Sequence, residues 1–160
     1  MEIAFFKVGS DEEKRESLLF LIEAFFLAGR RQQLILPHSA AVDYIDQWLW
    51  NEPRASFLPH GVASRLTPLQ QQREPLLLSE RPSVNLNGAQ LLFNLHEEPW
   101  QLDKEQEPLP HLLIELLDGT APERQKRAEH HLSYYQERGK VPKQYIWSHW
   151  RLAGSIDQLF

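Results

Sequence analysis

What constrains this chain most is a set of short runs whose neighbouring residues are apolar together: Ile3 to Val8, Leu34-Ile35-Leu36, Leu76-Leu77-Leu78, Gln90 to Leu95 and His111 to Leu117. Side chains alternate along a strand, so a strand that is apolar at successive positions needs cover on both faces. Sheets covered on both faces are built from parallel strands, and the connections that cover them are helices. The intervening segments have that character. Leu18, Leu19, Ile22, Phe25 and Phe26 recur at helical spacing, as do Val42, Ile45 and Leu49. The expected fold class is α/β, an open, mostly parallel twisted sheet with helices on both faces.

Local signals place the boundaries. Ser10 and Glu13 have capping-box spacing ahead of the first helix, and Gly29 closes it. Ser39 is expected to cap the second helix. Ser56-Phe57-Leu58 is expected to form a third strand, and residues 63–74, with a glutamine run and no apolar period, a loop. Asn87-Gly88 marks a turn. Thr120-Ala121-Pro122-Glu123 offers a second capping box for a helix running to about Arg138, with Gly139 behind it. Residues 1–142 are expected to form a single domain and 143–160 an aromatic-rich C-terminal extension. The extension holds Tyr145, Trp147, Trp150 and Phe160 without a clear period, which suggests docking on its own domain or on a partner.

Composition then narrows function. At 160 residues, 42% hydrophobic and 24% charged, the chain fits one globular domain. It has no cysteine, which excludes a disulfide framework and a cysteine nucleophile and fits a cytoplasmic location. The first residues are too acidic for a secretory signal, and the longest apolar stretch is interrupted by Glu23, so no membrane span is expected. A net charge of −5 argues against direct tight nucleic-acid binding, which draws on a basic footprint. The turn after the first run, Val8-Gly9-Ser10-Asp11-Glu12-Glu13, has one glycine and three acids where a phosphate site needs glycines and no repelling charge. No cofactor is expected.

The enzymatic alternative is a metal-dependent hydrolase. His38, His60 and His96 each follow an expected strand, and the carboxyl ends of parallel strands share one edge, where ligands bind. Three imidazoles there, with Glu97 or Glu98 beside them, would hold zinc and leave a position for water. Their spacing matches no metal motif. At the C-terminus, Leu159-Phe160 is weakly similar to the peptides by which replication proteins bind the sliding clamp, without the leading glutamine.

One segment carries a resemblance. Leu49-Trp50-Asn51-Glu52-Pro53-Arg54-Ala55-Ser56-Phe57-Leu58-Pro59-His60 resembles a segment of the chi subunit family of the bacterial DNA polymerase III clamp loader, at the same place after the second helix. Leu91 to Leu95, Leu112 to Leu117 and the helix closing on Tyr135 and Gly139 resemble further family segments in the same order. The resemblance implies a Rossmann-like topology without a nucleotide site, and a non-catalytic adaptor in DNA replication. It also implies two partners, the psi subunit of the clamp loader and the acidic C-terminal tail of single-stranded DNA-binding protein. The family's psi-facing residues correspond to Trp50, Pro53 and Phe57 here.

For the tail, the family's terminal helix carries a basic residue, an aromatic and a lysine where this chain has Glu129, Leu132 and Ser133. The helix instead lines up Arg124, Arg127, His131, Tyr134 and Arg138 at steps of three and four, hence on one face. Ala128, Leu132 and Tyr135 form the neighbouring apolar stripe, expected to pack on the sheet. Guanidinium groups would hold the tail's carboxylates and Tyr134 would line a slot for its terminal ring. A solvated helix face is the plain alternative for such a stripe. A free-standing interaction module, binding the tail but not psi, is the other non-enzymatic reading.

Overall fold

The computed structural model describes residues 1–52, 58–104 and 108–160. In chain order the elements are β1 (Glu2–Val8), α1 (Asp11–Leu27), β2 (Gln32–Ile35), α2 (Ser39–Asn51), β3 (Gly61–Val62), α3 (Pro68–Arg73), β4 (Leu76–Ser79), β5 (Leu91–Asn94), β6 (Leu112–Asp118), α4 (Pro122–Glu137), β7 (Lys143–Ile146) and α5 (Trp147–Ala153). The strands form one seven-stranded sheet in the order β3-β4-β2-β5-β6-β1-β7. Every pairing is parallel, so all carboxyl ends lie along one edge.

Alternation sorts the strand side chains into two cores. Phe6, Leu34, Leu78, Phe93 and Ile114 point to one face, where Ile22 and Phe25 of α1, Leu49 of α2 and Trp147 of α5 cover them. Phe5, Ile35, Leu92 and Leu113 point to the other, where Tyr135 of α4 and the loop residue Trp100 close over them. Helices thus lie on both faces, as the double-sided apolar runs demand. The apolar stripe of α4 is seated as expected, with Ala128 and Tyr135 buried and Leu132 partly so.

Several local expectations are corrected. The cap of α2 is His38, whose Nδ1 accepts from the Ala41 N–H at 3.1 Å, and Ser39 is the first helical residue. Of the expected third strand, Ser56 and Phe57 fall outside the described residues and Leu58 is buried without being in a strand; a short strand, β3, follows at Gly61–Val62. The stretch 63–74 is no loop. It holds a 3₁₀ turn over Ala63–Arg65 and then α3, started by a capping box between Thr67 and Gln70 with Pro68 behind the cap. Glutamine is a good helix former, so a polar helix needs no apolar period. Thr120 does not cap α4: Ala121 holds that position without a side-chain bond, and the Thr120 hydroxyl donates instead to Asp118.

Residues 143–160 dock on their own domain. β7 pairs with β1 from Ala4↔Lys143 to Lys7↔Ile146, and Trp147, Trp150 and Leu159 are buried against α1 and β1. Leu159 therefore has no free side chain to offer a sliding clamp, which corrects that expectation. Phe160 packs its ring edge-on to Phe25, with the Arg30 guanidinium 5.1 Å from its centroid.

Candidate functional site

At the carboxyl edge of the sheet, β2, β5 and β6 end beneath the first turns of α1, α2 and α4, leaving a cleft of about 580 Å³. Its apolar walls come from Leu18, Leu36, Ile45 and Leu116; Arg124, Arg127, Lys14, His38 and His96 supply the basic groups around it. Such a crevice follows from parallel topology, because the helices leave the strand ends toward different faces.

The charges around the cleft are largely paired. Lys14 Nζ lies 2.8 Å from Asp118. Burial pushes the Asp118 carboxyl upward, but hydrogen bonds from Lys14 and Thr120 outweigh it and hold its pKa below the ordinary value. Arg124 reaches Asp11 at 3.8 Å and Arg127 reaches Glu97 at 3.5 Å; all four side chains are well exposed, so these pairs yield readily to a ligand.

Below the cleft lies a buried polar network that the sequence reading missed. Glu115 of β6 is 2% exposed. Its Oε1 accepts from Asn94 Nδ2 at 2.8 Å and from the Tyr135 hydroxyl; its Oε2 lies 3.1 Å from His131 Nδ1. His131 Nε2 lies 2.8 Å from the Glu97 carbonyl, and since a carbonyl only accepts, this nitrogen donates. Burial pulls the His131 pKa down, but the hydrogen bond and charge of Glu115 prevail and leave it above the ordinary value. Burial and the Glu115 charge push the Tyr135 phenol strongly upward, so it acts as a neutral donor, and its oxygen accepts from the Trp100 N–H at 2.8 Å. The signal was present in the sequence: an acid inside Leu112-Leu113-Ile114-Glu115-Leu116-Leu117 must be paired when that strand is buried.

The stripe on α4 is split by these contacts. Arg124, Arg127 and His131 line the cleft, but the His131 ring is turned inward, with both nitrogens engaged. Tyr134 and Arg138 lie outside the cleft lining. The Arg138 guanidinium stacks 3.6 Å from the Tyr134 ring centroid and bonds Asp103, while the Tyr134 hydroxyl meets Gln101 and the Leu102 N–H.

The opposite, amino edge holds the other candidate residues. Helix α2 begins at the carboxyl edge and runs back, so its last turn presents Trp50 there, 52% exposed. Pro53 and Phe57 lie outside the described residues. His60 directly precedes β3, which puts it at this edge, bonded to Asp46 and the Leu58 carbonyl. The proposed zinc set therefore falls apart. His38 and His96 flank the cleft, and His60 is at the far edge; among the described residues no group of three or more His, Cys, Asp or Glu could hold a metal ion.

The sequence model of the family described as DNA polymerase III chi subunit, HolC, matches residues 1–143, from the first residue into β7. The chain belongs to the chi subunit family. By family it is an accessory subunit of DNA polymerase III. No curated protein matches the chain. Among the described residues of this chi-family chain, no helix is long and apolar enough to cross a membrane.

Proposed function

We propose that the chain works as a cytoplasmic, non-catalytic adaptor in the clamp loader, joining the psi subunit to the C-terminal tail of single-stranded DNA-binding protein. The observation that carries this reading is the half-exposed indole of Trp50 at the end of α2. A large ring with few rotors, left open on a domain whose other tryptophans are all at least half-buried, suits a partner contact. Pro53 and Phe57 would extend that surface.

For the tail, support comes from the cleft. Arg124 and Arg127 stand above apolar walls, which is the combination that a peptide with carboxylates and a terminal aromatic requires. Tyr134 and Arg138 continue the basic line along α4, and His131 holds the helix in place from below. Two modest contacts in one body raise the local concentration of the polymerase machinery at coated DNA.

Two results would test this. Trp50→Ala is expected to weaken psi binding by about thirtyfold, as a central aromatic anchor does, with the thermal midpoint little changed; loss of folding instead would make Trp50 a core residue. In calorimetric titration, the acidic tail peptide is expected to bind with micromolar, salt-sensitive affinity. That binding should be lost when the peptide's terminal aromatic is removed and again in Arg127→Ala. Absence of binding at millimolar peptide would remove the tail from the reading.

A further inference from the structure

The face of α2 that leads to the exposed indole carries Asp43, Asp46 and Trp50 at steps of three and four, and all three are tied to the segment that follows. His60 is buried beneath them. Its ring lies 4.3 Å from that of Trp50, centroid to centroid, with the planes 36° apart. Its Nδ1 is 3.0 Å from the Leu58 carbonyl and its Nε2 3.0 Å from Asp46 Oδ1. Asp46 is in turn held by Arg65 Nη1 at 3.1 Å, and the same guanidinium reaches Asp43 at 2.8 Å. The imidazole is thus fixed at both nitrogens, one to backbone and one to a carboxylate that is itself braced.

A buried polar residue that only fills its own hydrogen bonds has no need to touch an exposed ring. This one supplies a flat, immobile surface to the inner side of an indole whose outer side is open. An exposed tryptophan free to turn about its two side-chain bonds loses that freedom when a partner binds; one already stacked on a fixed ring loses less. Resting on the reading of Trp50 as the psi contact, we propose that His60 is the positioning residue of that contact. It holds the indole in its binding orientation through ring contact, with Asp46 and Arg65 as the brace behind it.

The test is a double-mutant cycle on binding of the full chain to the cognate psi subunit, together with the emission of Trp50, isolated as the difference between wild type and Trp50→Phe. His60→Ala is expected to weaken binding roughly three- to tenfold and to change the intensity and position of the Trp50 emission. In the Trp50→Ala background the same substitution should cost nothing further, because His60 acts through the indole. Unchanged Trp50 emission, or an equal loss in both backgrounds, overturns the proposal. Should His60→Ala fail to fold, Asp46→Asn, which keeps an acceptor for His60 and releases the Arg65 brace, is judged by the same two readouts. If Trp50→Ala binds psi as tightly as wild type, the partner surface itself is wrong and this role goes with it. If Trp50→Ala binds weakly and His60→Ala binds normally, only the positioning role is wrong.

Discussion

His131→Ala is expected to lower the unfolding free energy by about 3–5 kcal/mol, the range for removing one partner of a buried ion pair. The loss arises mainly from what is left behind. Glu115 keeps its donors from Asn94 and Tyr135 but loses the imidazole facing Oε2, and the Glu97 carbonyl loses its donor. Glu115→Gln should cost less, because the amide still offers an oxygen to Asn94 and Tyr135 and a donor to a neutral His131. The pair also makes stability depend on pH. The imidazole pKa is raised in the folded chain, so the contribution is complete below about 6.5, the ordinary value, and is lost as pH rises through the folded value. Urea midpoints of the wild type should therefore fall, as pH rises above about 6.5, more steeply than those of His131→Ala. Parallel pH profiles for the two chains would show that the pair is not linked to folding.

The second large effect is expected at Trp147→Ala, about 3–5 kcal/mol for a fully buried tryptophan. Its ring packs between β1 and α1, with centroids 6.1 Å from Phe6, 5.5 Å from Phe20 and 5.7 Å from Trp150. Among the described residues, neither Trp147 nor Trp150 finds an acceptor for its indole N–H. Trp147→Phe should accordingly cost far less than alanine, since it keeps most of the packing and removes an orphan donor. Thermal unfolding of both variants measures the difference. Near-equal losses would mean that the indole nitrogen has a partner and that ring volume is not the dominant contribution.

The strands that were legible from sequence are those buried on both faces, because a leucine-rich run admits few other fates. Those that were not are β3 and β7, the two edge strands of the sheet. β7 reads Lys143-Gln144-Tyr145-Ile146, half-buried at alternate positions, and four residues of alternation are too short to stand out. The two glycines of the chain's clearest helix stops behaved as written: Gly29 and Gly139 take φ of +70° and +77°. The α4 stripe was correct as spacing and incomplete as chemistry. Helical geometry puts His131 beside Arg127, but only the fold brings Glu115 beneath it and turns an expected surface imidazole into a buried one paired with a carboxylate. His60 was misplaced by a different route, because the short strand Gly61–Val62 that begins directly after it was not legible.

The cleft and Trp50 lie at opposite ends of the strands, which gives the domain the character of a strut. β1 and β6, seven residues each, span roughly 20 Å at 3.3 Å per residue. Their side chains are locked into two cores, so the sheet between the surfaces has little room to bend. Ligands so separated neither collide nor share a side chain, and their binding energies should add. Saturating one end should leave the dissociation constant at the other unchanged, and the separation of two bound partners would be a fixed length set by the sheet rather than a flexible tether.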